Sequence, residues 1–154
     1  MGHETFSHLF HTEVQKEVVS AVIIRNKKIL LLKRSLQDTM PGLYELPGGT
    51  VDPNETQEGA LKREIFEETK LSILSIGALV VTFDFFSRPE TPARNFSYLV
   101  TTGPGRVRVD KKEHESFRYV RLSEAHRLPL TENAQKTISA LKKTLGLFSP
   151  FFAS

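Results

Sequence analysis

The chain has 154 residues, 39% hydrophobic and 25% charged, with a net charge of +3 and no cysteine. That size and balance fit one compact domain and exclude a fibrous, repeat or wholly disordered protein. Apolar runs such as Ile29 to Leu32 fall far short of the ~20 residues that span a bilayer, and the N-terminus lacks the layout of a secretory signal. A soluble, cytoplasmic protein with no membrane partner is expected. The lysines and arginines are scattered rather than clustered with aromatics, so a phosphorylated small molecule fits better than a nucleic-acid polymer.

Residues Met1 to Lys16 read as an N-terminal tail. His8 and His11 could share a helix face as metal ligands, but solvated tail histidines are the alternative, and neither they nor His3 are assigned chemistry. A single domain is expected over Glu17 to Gly146. Val18 to Arg25 and Lys28 to Arg34 are rich in β-branched and aliphatic residues and flank Asn26-Lys27, which predicts a β-hairpin. The Pro- and Gly-rich segment from Met40 predicts irregular backbone, a short extended piece at Leu43 to Leu46, and a glycine loop. Asp52, Asn54 or Thr56 could cap the helix predicted over Gln57 to Thr69. Strands are expected at Ile73 to Phe86, Arg94 to Thr101, Val107 to Val109 and Phe117 to Arg121. A closing helix is expected at Thr131 to Leu145, where Ile138, Leu141 and Leu145 keep helical register. The fold class is α/β, a mixed sheet with helices on both faces. The tail at 147–154 includes the apolar Phe148-Ser-Pro-Phe-Phe, expected to dock on the domain or on a second copy in a homodimer.

On the first predicted helix, Glu64, Glu67 and Glu68 fall within an arc of roughly 100° beside the apolar pair Leu61 and Ile65. Glu64 and Glu68 repel as an i, i+4 pair, and the negative end of the helix dipole adds to the cost. A divalent cation explains the clustering, because carboxylates are hard ligands suited to Mg²⁺ or Mn²⁺. A solvated acidic face is the alternative. Gly48 and Gly49 add a loop that lets backbone approach a ligand closely, although a plain tight turn is what Pro-Gly-Gly gives in isolation.

The string from Gly49 to Leu71 carries Gly, five residues, Glu55, seven residues, Arg63-Glu64, Ile65, one residue, Glu67-Glu68, one residue, Lys70 and Leu71. It resembles the Nudix box, departing at one fixed position, where Lys70 replaces glycine. Glycine suits that position because it reaches left-handed angles freely, so lysine there predicts altered loop geometry or a modest stability cost. The resemblance implies a MutT-like Nudix α/β/α sandwich and a metal-dependent hydrolase of nucleoside diphosphate linkages. Metal ligation falls to Glu64, Glu67, Glu68 and the Gly49 carbonyl, with Mg²⁺ or Mn²⁺ as cofactor, while Glu55 and Arg63 brace the helix. Arg63 as an i, i+4 partner of Glu67 is compatible with that role.

Relatives often place one more acid before the last strand, which implies Glu113, or else Glu115, with solvated loop acids as the alternative and His114 facing solvent. The proton acceptor is then Glu64 or Glu113, and Glu68 is catalytic with them. Lys33 and Arg34 resemble positions that reach substrate phosphate or base, with plain surface charge as the alternative. Phe85, with Phe83, Phe86 and Tyr98, could stack on a base or simply fill the core, and Asn133 could bond a base edge or cap the last helix. The segment from Met40 to Gly49 resembles the branch that cleaves nucleoside triphosphates, including oxidised ones, to monophosphate and pyrophosphate. ADP-ribose or dinucleoside polyphosphate hydrolysis stays open within the class, and a non-catalytic nucleotide-sensing module outside it.

Overall fold

The computed structural model describes residues 14–148. The expectations for His3, His8 and His11, and for the C-terminal segment beyond Phe148, lie outside those residues. The elements are β1 (Lys16–Arg25), β2 (Lys28–Arg34), β3 (Tyr44–Glu45), β4 (Gly48–Thr50), α1 (Gln57–Thr69), β5 (Ile73–Arg88), β6 (Thr91–Thr102), β7 (His114–Arg121), a 3₁₀ turn (Leu122–Arg127) and α2 (Glu132–Phe148).

Asn26 (φ 51°) and Lys27 (φ 64°) both adopt left-handed angles, the backbone of a two-residue hairpin turn, and this sets Arg25 opposite Lys28. On its other edge β1 runs parallel to β6, from Lys16 opposite Ala93 to Ile23 opposite Val100. β5 and β6 form a long antiparallel hairpin, and β7 lies antiparallel to β2. The result is a mixed sheet, as expected.

Side-chain alternation along β1 and β2 divides the interior into two cores. Val19, Ala21, Ile23, Leu30 and Leu32 meet Leu61 and Ile65 of α1 on one face. Val22, Ile29 and Leu31 meet Ala134, Ile138 and Leu141 of α2 on the other. Leu61 and Ile65 are almost fully buried, and each anchors α1 by roughly 1.5–3 kcal/mol.

Three expectations are corrected. Val107 to Val109 is not a strand. Val107 is buried in the α1-side core and Arg108 N–H bonds Thr69 O at 2.9 Å, but the segment has no ladder partner among the described residues, so β-propensity alone does not make it one. Gly48–Thr50, expected as loop, pairs with β1 from Ser20 opposite Gly48 to Val18 opposite Thr50. The 3₁₀ turn was not expected, and it forms around the buried Leu122 and Ala125, which the i, i+3 spacing puts on one side.

Lys70 caps α1 in the left-handed conformation that glycine would take (φ 65°, ψ 12°), so the loop geometry is kept. Its N–H bonds Phe66 O and its Nζ bonds the Glu67 carbonyl, which offsets part of the strain on its Cβ. Lys70→Gly is expected to stabilise the protein by about 0.5–1 kcal/mol with turnover unchanged. Thermal unfolding of the variant checks this; a lower Tm would mean the Nζ contact outweighs the strain.

Candidate functional site

The chain entering α1 is held by one guanidinium. Thr56 is the N-cap, accepting from Gly59 N–H at 3.0 Å, and Glu55 lies just before it. Arg63 donates through Nε and Nη2 to the two oxygens of Glu55, both at 2.8 Å, through Nη2 to Thr50 O at 3.1 Å, and through Nη1 to Glu64 Oε1 at 2.8 Å. It thus ties the loop, β4 and a helix carboxylate into one unit. Hydrogen bonds from Arg63 and from Asp52 N–H pull the Glu55 carboxyl down to about 2. Because its native value lies below the ordinary 4.5, the stability this group contributes is present above pH 4.5 and is lost between 4.5 and about 2. Arg63→Lys keeps the charge but not the fork. It is expected to lower turnover and divalent-metal affinity about 10–100-fold, read by steady-state kinetics and metal titration. Unchanged values for both would show that the brace does not position the carboxylates.

Both glycines of the turn are required by close approach. A Cβ on Gly48 would sit 2.0 Å from Val19 O, and one on Gly49 would sit 2.3–2.6 Å from the carboxyl atoms of Glu64. Gly48 N–H donates to Glu68 Oε1 at 2.7 Å. Ala21 N–H to Pro47 O and Val51 N–H to Glu17 O flank the register and make Val19 and Gly49 the hydrogen-bonded pair. The Gly49 carbonyl therefore keeps one lone pair beyond the ladder.

Glu68 is 6% exposed, and among the described residues no lysine or arginine lies within ion-pair distance of it. Burial pushes its carboxyl well above the usual range. Glu64 is raised too, again first by burial, with Arg63 opposing. A buried carboxylate with no fixed cation costs stability once ionised, which fits a divalent ion as the missing partner. Since both native values are raised, stability falls as pH rises above the ordinary 4.5 toward those values, and metal binding reverses the loss. A saturating divalent ion is expected to raise Tm more at pH 7.5 than at pH 5; an equal shift at both would place the ion away from these groups.

Glu64, Glu68 and Glu113 line one cleft of about 680 Å³, together with Gly49, Arg34, Phe85 and Asn133. Glu67 does not line it. Its side chain is 57% exposed and 3.6 Å from Arg63 Nη1. Lys33 also stays outside the cleft, paired with Glu115 at 3.4 Å. Arg34 lies inside, but Glu45 (2.9 Å) and Asp38 (2.8 Å) occupy its guanidinium. Phe86 lines the cleft as well, half-exposed. Phe83 packs under Lys136 Nζ, 5.0 Å from the ring centre, and the Tyr98 hydroxyl bonds Gln57 Oε1.

His114 does not face solvent. It is 2% exposed, with Nε2 2.8 Å from Glu45 Oε2 and Nδ1 3.7 Å from Glu68 Oε2. The reason is long-range: β7 begins at His114, which pairs with Arg34 just past a bulge at Glu115 in β7. Glu45 was likewise missed; its only sequence signal is an acid placed just before the Pro-Gly-Gly turn.

The NUDIX domain model matches residues 14–141. The chain is 52% identical over 52 residues to the CTP pyrophosphohydrolase of Escherichia coli, covering 34% of this chain and 38% of that one. It is 39% identical over 84 residues to the 8-oxo-dGTP diphosphatase of Haemophilus influenzae, covering 53% and 60%. Both alignments span less than two thirds of those relatives. The solution structure of the E. coli ORF135 protein superposes with a TM-score of 0.76 at 28% identity, covering 91% of this chain and 96% of that one.

Proposed function

The chain belongs to the NUDIX family, and from that premise we propose that it hydrolyses the acid-anhydride linkage in nucleotides, cleaving a nucleoside triphosphate to monophosphate and pyrophosphate with Mg²⁺ or Mn²⁺. The observation that carries this reading is the shared cleft, which Glu64, Glu68 and Glu113 line together with Phe85 and Asn133. The donors present fit a hard cation: a buried carboxylate without a positive partner, a second held over Gly49, and a carbonyl with a spare lone pair.

Glu64, Glu68 and the Gly49 carbonyl would hold the ion, with Glu67 reaching in from the rim. When bound, the ion withdraws charge from the phosphate oxygens and lowers the barrier to attack at phosphorus. Arg63 keeps Glu64 aimed, and Gly48 N–H fixes Glu68. Water attacks phosphorus in line, its proton passes to Glu113, and pyrophosphate departs. Glu113 suits the acceptor role because it is exposed and can return the proton to solvent. Phe85 offers an aromatic face to the base and Asn133 a donor and acceptor to its edge.

The test is a panel of the common nucleoside triphosphates, 8-oxo-dGTP, ADP-ribose and diadenosine polyphosphates with Mg²⁺ or Mn²⁺, scored for products. Pyrophosphate release from a triphosphate supports the proposal. Turnover confined to ADP-ribose or a dinucleoside polyphosphate would replace the substrate, and binding without turnover across the panel would point to a nucleotide sensor.

A further inference from the structure

Resting on the metal reading above, we propose that His114 is itself a ligand of the divalent ion through Nδ1. The centre is then a mixed carboxylate and imidazole site that favours transition ions over Mg²⁺.

The ring is held for this role from behind. Glu45 Oε1 accepts from Arg34 at 2.9 Å, and its Oε2 lies 2.8 Å from His114 Nε2. A carboxylate offers only acceptors, so the hydrogen on Nε2 points to Glu45, and Nδ1 is the ring nitrogen left to take a metal. A carboxylate behind a metal-bound imidazole is the usual way such a ring is oriented.

Ahead of the ring, Nδ1 is buried, its side chain 3% exposed, and it has no hydrogen-bond partner among the described residues. It lies 3.7 Å from Glu68 Oε2. That is too long for a hydrogen bond, so neither atom satisfies the other. Two ligands each ~2.1 Å from a shared ion stand ~3–4.2 Å apart, so the observed gap suits an ion between them. Glu113, the proton acceptor proposed above, stands close by, the ligand atoms of Glu68, Glu113 and His114 all lying within 4.8 Å of one another. Imidazole nitrogen raises the preference for Co²⁺ or Zn²⁺ over Mg²⁺ above that of a carboxylate-only site.

The test uses Mn²⁺ alone as a paramagnetic probe on the full chain, read by electron spin-echo modulation, with Co²⁺ against Mg²⁺ competition measured alongside. Nitrogen modulation is expected in the wild type. It should change frequency on ¹⁵N-histidine labelling and vanish in His114→Gln, where the Co²⁺ to Mg²⁺ affinity ratio falls at least ~10-fold. Bound Mn²⁺ without nitrogen modulation in the wild type, or modulation that persists in His114→Gln, would overturn the imidazole ligand and leave the carboxylate centre standing. No Mn²⁺ bound at all would overturn both. The wild-type spectrum decides the matter even if the variant fails to fold.

Discussion

Glu68→Gln is expected to lower turnover by on the order of 10³-fold, about 4 kcal/mol of transition-state stabilisation, while the metal-free protein loses no stability. The two halves of that expectation have one cause. Glu68 is buried without a lysine or arginine beside it, so its ionised form is costly until a cation arrives. Glutamine keeps an oxygen for Gly48 N–H, which bonds Oε1 at 2.7 Å, and removes only the charge. The metal-free Tm should hold or rise, and the Tm increase on adding Mg²⁺ should disappear. A variant that turns over at the wild-type rate would remove Glu68 from the chemistry. One that unfolds without metal would make it a structural acid.

Gly49→Ala and Gly48→Ala are adjacent substitutions expected to fail in different ways. At Gly49 the new methyl group would lie 2.3–2.6 Å from the Glu64 carboxyl, the movable end of a side chain. The fold should survive with a loss of about 1 kcal/mol, while a displaced Glu64 costs turnover on the order of 10²-fold and weakens metal binding. At Gly48 the methyl would lie 2.0 Å from a backbone oxygen of β1, which cannot yield without breaking the β1 and β4 pairing. A loss of about 3 kcal/mol or more is expected there. Thermal unfolding and steady-state kinetics on both variants separate the two effects. Equal stability losses, or a Gly49→Ala enzyme of wild-type rate, would refute the contact of Glu64 with this turn.

The α1 region was legible because its information is local. Helical spacing put Glu64 and Glu68 beside Leu61 and Ile65, and the capping candidates before it included Thr56, the residue that caps. The β1 and β2 hairpin was equally plain from its two-residue turn. What the sequence hid is set by partners distant in the chain. Val107 to Val109 has strand-like residues, but Arg108 N–H bonds the Thr69 carbonyl at the end of α1 rather than a neighbouring strand. His114 sits among polar neighbours and reads as loop until β7 is laid against β2. Arg34 reads as a free cation until Glu45 and Asp38 are found on it. Glu67, alike in sequence to its neighbours, differs from them because the helix turns it to the rim.

The separation of the interior into two cores bears on how such a protein can change over generations. Glu64 and Glu68 ride on a helix anchored in one core, and Asn133 on a helix anchored in the other, with the sheet between them. Mutations that reshape the α2 side to admit a different base are absorbed by residues that never touch Leu61 or Ile65. Hydrolytic chemistry can therefore be inherited intact while preference drifts, and the stability lost in a switch of substrate can be recovered by repacking a single layer.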